Sequence, residues 1–188
     1  MSTLKVNSII PVAGVPICGG GGIIQIIETV KKDKASTSLA SNTTSAAFES
    51  VTGCTASITP TSTSSKILVD FQINTTVGRN GTLLMYTLTR KIGSGSFAEV
   101  DDYLGVSDGN RHRCSITLVP EHNEYSCNQA RLAFLDSPAT TSAVTYGFRV
   151  RHDSGNTSSI YINSSDNDGN QVYVPRPCTT LKLMEVSA

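Results

Sequence analysis

The chain has 188 residues with 15 basic and 15 acidic side chains, so its formal net charge is +0. This balance argues against a nucleic-acid-binding protein, which usually presents a basic excess on one face. Only 16% of the residues are charged and tryptophan is absent. No stretch reaches the roughly 18 apolar residues that a bilayer-spanning helix requires. We therefore expect one sizeable domain and no membrane insertion.

The first 22 residues read MSTLKVNSIIPVAGVPICGGGG. Pro11 and Pro16 interrupt the apolar run, which argues against a signal peptide, and contiguous glycines without a following Gly-Lys-Ser/Thr do not match a phosphate-binding loop. Because consecutive glycines have no preferred backbone conformation, we predict a hinge between an N-terminal arm, residues 1–22, and a body, residues 23–188. The predicted hinge comprises Gly19, Gly20, Gly21 and Gly22. The predicted docking side chains are Leu4, Val6, Ile9 and Ile10.

Apolar and polar residues alternate in several segments of the body. In residues 66–77, KILVDFQINTTV, alternate residues are apolar, which predicts a half-buried strand. Residues 145–153, TYGFRVRHD, show the same period, with Arg149 and Arg151 on the outward face. Turn residues separate these segments, so we predict an all-β, antiparallel β-sandwich with jelly-roll-like connections. Further strands are predicted over residues 23–30, 54–59, 83–91, 114–118, 129–135, 160–162, 171–174 and 180–186.

Residues 35–51, ASTSLASNTTSAAFESV, carry almost no charge, and their composition alone permits disorder. Phe48 and Val51, however, lead directly into a predicted strand that ends at Pro60. We therefore assign this segment to the body without predicting a strand in it. A short helical turn is predicted near residues 101–104, and no longer helix.

Five cysteines are present without a Cys-x-x-Cys pair. An odd number at wide spacing does not predict a disulfide framework. We expect these residues to be mostly buried thiols that pack as small apolar side chains. They are Cys18, Cys54, Cys114, Cys127 and Cys178.

The sequence offers no strong catalytic or metal-binding pattern. The histidines and cysteines between residues 112 and 127 lack the spacing of structural zinc sites. Asp166 and Asp168 resemble the start of a calcium loop but lack its twelfth-position glutamate, so a hairpin turn at Asp168-Gly169 is favoured, with a bound calcium ion as the alternative. The nucleophile motif Gly-x-Ser-x-Gly does not occur. We predict a non-enzymatic protein with no catalytic residue, metal or cofactor.

Three parts of the sequence together resemble a known group of proteins. They are MSTLKVNSI at the start, ITPTSTSSKILV at residues 58–69, and the closing half with ARLAFLDSPATTSAVTYGFRVR, IYIN and TTLKLMEVSA. These stretches are similar to small structural proteins of tailed phages, common in cyanophages and other aquatic phages, and the similarity covers most of the chain. The resemblance implies a virion protein that is assembled in the bacterial cytoplasm, with an N-terminal docking arm, a β-rich distal domain and a homotrimeric state.

From this resemblance we expect a short tail fibre or baseplate-attached adhesin that docks on other virion proteins. A capsid decoration protein is the alternative on the same particle, and a cellular carbohydrate-binding module is the alternative outside it. A receptor surface, for example for a host glycan, is expected on loops 93–110 and 153–170, because loops on a rigid β scaffold often carry binding. The candidate receptor residues are Tyr103, Asp108, Asn110, Asn156, Asp166 and Asp168.

Overall fold

The computed structural model describes residues 22–41, 45–79, 81–120 and 124–187. Within these ranges the chain forms twelve strands and two short 3₁₀ turns, Phe48–Ser50 and Asp101–Tyr103. The strands are β1 (Ile23–Lys31), β2 (Ala35–Leu39), β3 (Ala46–Ala47), β4 (Ala56–Ile58), β5 (Lys66–Val77), β6 (Leu84–Ile92), β7 (Ala98–Glu99), β8 (Ile116–Leu118), β9 (Asn128–Asp136), β10 (Val144–His152), β11 (Ser158–Ile162) and β12 (Thr179–Val186). No helix in the described part of the chain is long and apolar enough to cross a membrane.

The first sheet contains six antiparallel strands around β5. β12 and β11 lie one after the other along one edge of β5, and β9 pairs with its opposite edge. β1 pairs with β12 and β2 with β11, so β1 and β2 together form one side of the sheet. The carbonyl of Gly22 accepts a hydrogen bond from the amide of Ser187 at 3.2 Å, which places the two ends of the described body side by side.

The second sheet is built around the antiparallel pair β6 and β10. β3 and β4 pair with the edge of β10 opposite to β6. β7 and β8 pair with the edge of β6 opposite to β10. Each flanking strand is only two or three residues long, and Met85, Thr87 and Thr89 on the outer face of β6 are nevertheless buried.

The two sheets pack face to face around one apolar core. Phe48 of the first 3₁₀ turn joins it by stacking on Phe148, with the ring centroids 5.4 Å apart. The inner residues of β5 and β10 are fully buried, as their alternation predicted: Ile67, Val69, Phe71, Ile73, Tyr146, Phe148 and Val150. The predicted all-β antiparallel sandwich with jelly-roll-like connections is therefore confirmed.

A buried carboxylate connects the two sheets. Asp136 of β9 is 1% exposed and accepts hydrogen bonds from the Tyr146 hydroxyl at 2.6 Å and from Arg90 Nη1 at 2.5 Å. Burial, followed by the hydrogen bond to Asp136, raises the pKa of Tyr146. Since Asp136 belongs to the first sheet and both donors to the second, this group fixes one sheet against the other.

A second buried carboxylate, Glu185, lies on the inner face of β12. Its oxygens accept hydrogen bonds from the Gln25 side chain at 2.6 Å and from the amide and hydroxyl of Thr61 at 2.7 Å. Burial acts to raise the pKa of this carboxyl, but the hydrogen bonds outweigh it and lower the pKa to about 2. Glu185 thereby holds β1 and the loop before β5 against β12.

Two strand predictions differ from the structure. Residues 171–174 form a turn, so the strand predicted there is wrong. Val172 is fully exposed, and Tyr173 packs edge-on against Tyr125 with ring centroids 4.9 Å apart. Pro175 follows directly and lacks the amide that a strand ladder needs. Conversely, residues 35–51 contain β2 and β3, which the sequence pattern did not predict.

The cysteines also depart from expectation. Among the four described, Cys54 is buried, Cys114 and Cys127 are half-buried, and Cys178 is exposed. Burial raises the pKa of the Cys54 and Cys127 thiols to about 11. The prediction of mostly buried thiols is therefore wrong for Cys178, and Cys18 lies outside the described residues.

Candidate assembly face and receptor loops

β1 carries apolar side chains on both of its faces. Because successive strand residues point to opposite sides, Ile27 packs against the core while its neighbours face solvent. Ile24, Ile26 and Val30 are 46%, 56% and 43% exposed. Exposed strand positions are usually polar, so this strand presents an apolar surface that the folded body does not use.

Ile26 begins a row of apolar side chains that crosses the first sheet. The strand register places Ile26 beside Met184 of β12. It then places Met184 beside Leu68 of β5, and Leu68 beside Leu135 of β9. Met184 and Leu68 are partly exposed, and Leu135 is 42% exposed. We call these four residues the apolar row; they form a contiguous patch on the solvent side of the sheet.

Charged residues border the apolar row two positions further along the strands. Glu28 lies beside Lys182 in the register, with a carboxylate–ammonium distance of 3.5 Å. Asp70, the next neighbour in the register, receives two hydrogen bonds from Arg131, at 2.8 and 3.0 Å. An apolar centre with a polar rim is the usual arrangement of a protein interface.

The backbone edge of β1 adds to this surface. Among the described strands β1 pairs only with β12, and an unpaired edge can accept a further strand. Gly22, the one hinge residue within the described ranges, immediately precedes this edge and has no heavy atom within 4 Å of an added Cβ. The remaining predicted arm residues lie outside the described residues: Leu4, Val6, Ile9, Ile10, Gly19, Gly20 and Gly21.

The first predicted receptor loop lies along the second sheet. Tyr103 is half-buried in the 3₁₀ turn, where its ring stacks on Phe134 with centroids 4.5 Å apart and its hydroxyl donates to the Leu135 carbonyl. Asp108 and Asn110 are exposed. Tyr103 therefore fixes the segment to β9, whereas Asp108 and Asn110 face solvent.

The second predicted loop contains Asp166 and Asp168, both half-buried. Asp168 forms ion pairs with Lys34 and Arg176, and these hydrogen bonds, Lys34 first, lower the pKa of Asp168. Burial, followed by the hydrogen bond to Asp166, raises the pKa of Tyr161. A cavity of about 280 Å³ lies between Lys34, Tyr161 and Asp168. Ion pairs therefore fix the loop to Lys34, in the turn between β1 and β2, and to Arg176, just before β12.

The hairpin turn predicted at Asp168-Gly169 is wrong. These residues lie in the long connection between β11 and β12, and no strand follows them before β12. The calcium alternative has little support here, because two cationic side chains occupy the Asp168 carboxylate. Within the described ranges no group of three or more His, Cys, Asp and Glu side chains is placed to hold a metal ion.

The two predicted receptor loops begin at opposite ends of the β6–β10 pair. The turn at residues 93–96 follows Ile92, which lies beside Val144 at the start of β10. The loop with the exposed Asn156 follows His152, which lies beside Leu84 at the other end of the pair.

The apolar row was missed at the sequence level, although a signal was present. Leu68 and Met184 interrupt the polar faces of otherwise alternating strands, and β1 is apolar on both faces. Each exception is unremarkable alone, because single exposed apolar residues are common. Only the strand register, which alternation does not supply, brings them into one patch.

No protein-family model matches the chain, and no curated protein matches it. The solved structures that match this chain include several of infectious bursal disease virus. The Gt-strain structure has a TM-score of 0.46 at 12% identity, covering 97% of this chain and 44% of that one. The T13 viral particle gives 0.46 and 12%, covering 97% and 41%, and the VP2 subviral particle gives 0.42 and 9%, covering 86% and 39%. The chain spans less than half the length of each.

Proposed function

We propose that the chain is a non-enzymatic structural protein of a tailed-phage virion. Its body associates with further copies of itself through the outer face of the first sheet, and residues 1–22 dock on the tail or baseplate. The observation that carries this proposal is the apolar row of Ile26, Met184, Leu68 and Leu135, which crosses four strands on the solvent side of a folded sandwich. The sequence resemblance to phage structural proteins supports the virion context.

The preferred partner of the apolar row is a second copy of the chain, and the preferred assembly is a closed trimer. Fully burying an exposed Ile or Leu side chain stabilises by about 1.5–3 kcal/mol, and several such side chains are about half exposed here. In a threefold ring the same face is used three times, with the apolar rows lining the axis. Glu28 and Lys182 then lie at the rim, where they can pair across copies.

The assembly state is tested by light scattering and small-angle scattering of the purified chain. We expect the mass of a trimer, and we expect Ile26→Glu and Met184→Glu to lower it to that of a monomer. Val106→Glu is the matched control, because Val106 is 88% exposed on a loop outside the first sheet. A monomeric wild-type chain, or variants that keep the trimer mass, would contradict the proposal.

The docking role of residues 1–22 is tested separately by deleting them. We expect the shortened chain to remain a trimer and to lose binding to phage particles that lack this protein. Electron microscopy of reconstituted particles then locates the full-length chain. Binding at the tail supports the fibre or adhesin assignment, whereas binding over the head surface replaces it with a capsid decoration protein.

A further inference from the structure

The outer face of the second sheet contains a cleft whose chemistry is opposite to that of the apolar row. Its volume is about 220 Å³. Four arginines from two separate parts of the chain line it, together with one carboxylate and two small hydroxyl side chains. We call it the arginine cleft, and its principal residues are Arg111, Arg113, Arg149, Arg151, Glu99 and Thr87.

Arg149 is held in place by a buried carboxylate. Its Nε donates to Glu49 Oε1 at 2.9 Å, and the Glu49 side chain is only 4% exposed. Gly147 makes this possible, because a Cβ at that position would lie 2.9 Å from Glu49 Cγ. A glycine inside a strand often marks such a close approach. The small residue inside β10 thus leaves room for the carboxylate that fixes the direction of the Arg149 guanidinium.

Arg151 lies two residues further along β10, on the same face as Arg149. Its Nη1 is 3.3 Å from both ring nitrogens of His112, so the side chain contacts the loop that brings Arg111 and Arg113 to the cleft. That loop is fixed to β6 by the Ser115 amide, which donates to the Tyr86 carbonyl at 2.7 Å. The four arginines thus come from one strand and one anchored loop.

Arg111 and Arg113 have partners that a ligand can replace. Arg111 pairs with Asp108, which is 67% exposed, and Arg113 Nη1 pairs with Asp101 at 2.8 Å, where Asp101 is 79% exposed. Exposed ion pairs contribute little stability because water screens them. A guanidinium has five N–H donors, so these arginines retain donors for an anion in the cleft.

The size and lining of the arginine cleft favour one small anionic polyol. Its volume is below the roughly 300 Å³ at which pockets for drug-sized ligands begin. Planar guanidinium groups bind carboxylate or phosphate oxygens in pairs, and Glu99, Ser45 and Thr87 in the lining supply acceptors and donors for hydroxyl groups. An extended polyanion such as nucleic acid fits poorly, because the cleft is small and the chain has a formal net charge of +0, without the basic excess that nucleic-acid binding needs.

We propose that the arginine cleft binds one acidic sugar unit, with its carboxylate or phosphate on the arginines and its hydroxyls on Glu99, Ser45 and Thr87. This inference does not depend on the virion assignment, since it concerns the folded body alone. In a virion protein it would supply a receptor contact on the side of the molecule opposite to the assembly face.

The test is calorimetric titration of the full chain with D-glucuronate, D-glucose 6-phosphate, inorganic phosphate and D-glucose. We expect both acidic sugars to bind. Inorganic phosphate lacks the sugar hydroxyls and should bind at least about tenfold more weakly, whereas glucose lacks the anionic group and should give no binding signal. Each lost hydrogen bond to a charged group weakens affinity by roughly tenfold or more. The double substitution Arg111→Ala with Arg113→Ala should abolish the acidic-sugar signal. Both residues lie on a loop, which limits the effect on folding.

Arg131→Ala is the matched control, because Arg131 is 59% exposed on the opposite face and pairs with Asp70. It should bind the acidic sugars like the wild type. Absence of binding by either acidic sugar overturns the proposal, as does binding that survives the double substitution in a protein with wild-type circular dichroism. Equal affinities for inorganic phosphate and the acidic sugars would also overturn it, since they would indicate an anion site without sugar recognition.

Discussion

The two outer faces of the sandwich are built on similar antiparallel strands, yet they expose opposite chemistry. The first sheet presents an apolar row that no described element covers, with a bordering row of charges. Loops cover part of the second sheet, and Met85, Thr87 and Thr89 on its outer side are buried. The difference shows that alternation decides which residues form the core, whereas the exposed side is decided by register and by where the loops pass.

The strongest way to disrupt both faces at once is to remove the carboxylate that joins the sheets. We expect Asp136→Ala to lower the free energy of unfolding by about 3 kcal/mol, because it leaves Arg90 and the buried Tyr146 hydroxyl without their partner. Urea unfolding measures this. Asp70→Ala is the control, since its partner Arg131 lies on the outer face and its loss should cost about 0–1 kcal/mol. Equal costs for the two variants would contradict the assigned role of Asp136.

Lowering the pH should destabilise β1, at the edge of the first sheet, more than the strands of the second sheet. The pKa of Glu185 is lowered from 4.5 to about 2 in the fold, so its carboxylate stabilises the fold fully above the unfolded value and progressively less as the pH falls through that window. Hydrogen exchange in β1 should therefore accelerate between these pH values more than exchange in β10.

Glu185→Gln is the companion variant for the acid experiment. A glutamine cannot titrate, so β1 should exchange faster than in the wild type at neutral pH and should change less on acidification. If wild type and variant lose protection of β1 in parallel as the pH falls, another group controls this edge.

The arginine cleft depends on Gly147, which lies inside β10. In Gly147→Ala the new Cβ meets Glu49 Cγ at 2.9 Å and Thr55 Cγ2 at 3.3 Å, so Glu49 must move away from Arg149. We expect a loss of about 1–2 kcal/mol in unfolding free energy together with weaker acidic-sugar binding. Gly155→Ala, where nothing lies within 4 Å, should change stability by at most about 0.5 kcal/mol. Similar behaviour of the two variants would remove the role given to Gly147.

The smallest effect on folding is expected from the apolar row itself. Met184→Gln should change the unfolding free energy of the isolated body by less than about 0.5 kcal/mol, because the side chain is partly exposed and no described residue covers the row. The same substitution should shift the light-scattering mass towards the monomer. A large loss of stability at concentrations where both proteins are monomeric would show that the row serves folding instead of assembly.

Strands that bury one strongly apolar face could be predicted from the sequence. β5 covers the predicted residues 66–77, and β10 differs from its prediction by one residue at each end. β2 could not be predicted, because Ser36 and Ser38 alternate with Thr37, and small polar residues give no hydrophobic contrast. In residues 171–174 the alternation of Val172 and Val174 predicted a strand, but this segment forms a turn and pairs with no strand.

The candidate sites were less predictable than the strands. Alternation placed Arg149 and Arg151 on an outward face, but Arg111 and Arg113 reach the same cleft through a loop whose path depends on distant hydrogen bonds. Tyr103, predicted as a receptor residue, packs on Phe134; a lone tyrosine in a loop carries no local sign of its packing partner. Sites that combine distant segments require the register and the loop paths, which local patterns do not contain.

The hydrogen bond between Gly22 and Ser187 has a consequence for protein engineering. Because β1 and β12 are neighbours, a short linker can join residue 187 to residue 22. New chain ends can then be placed in the exposed loop around Gly155, which gives a circular permutant. The same closeness lets the body be inserted into a surface loop of another protein without forcing that loop apart. The sandwich is therefore a transferable module, whose entry and exit occupy one point on its surface.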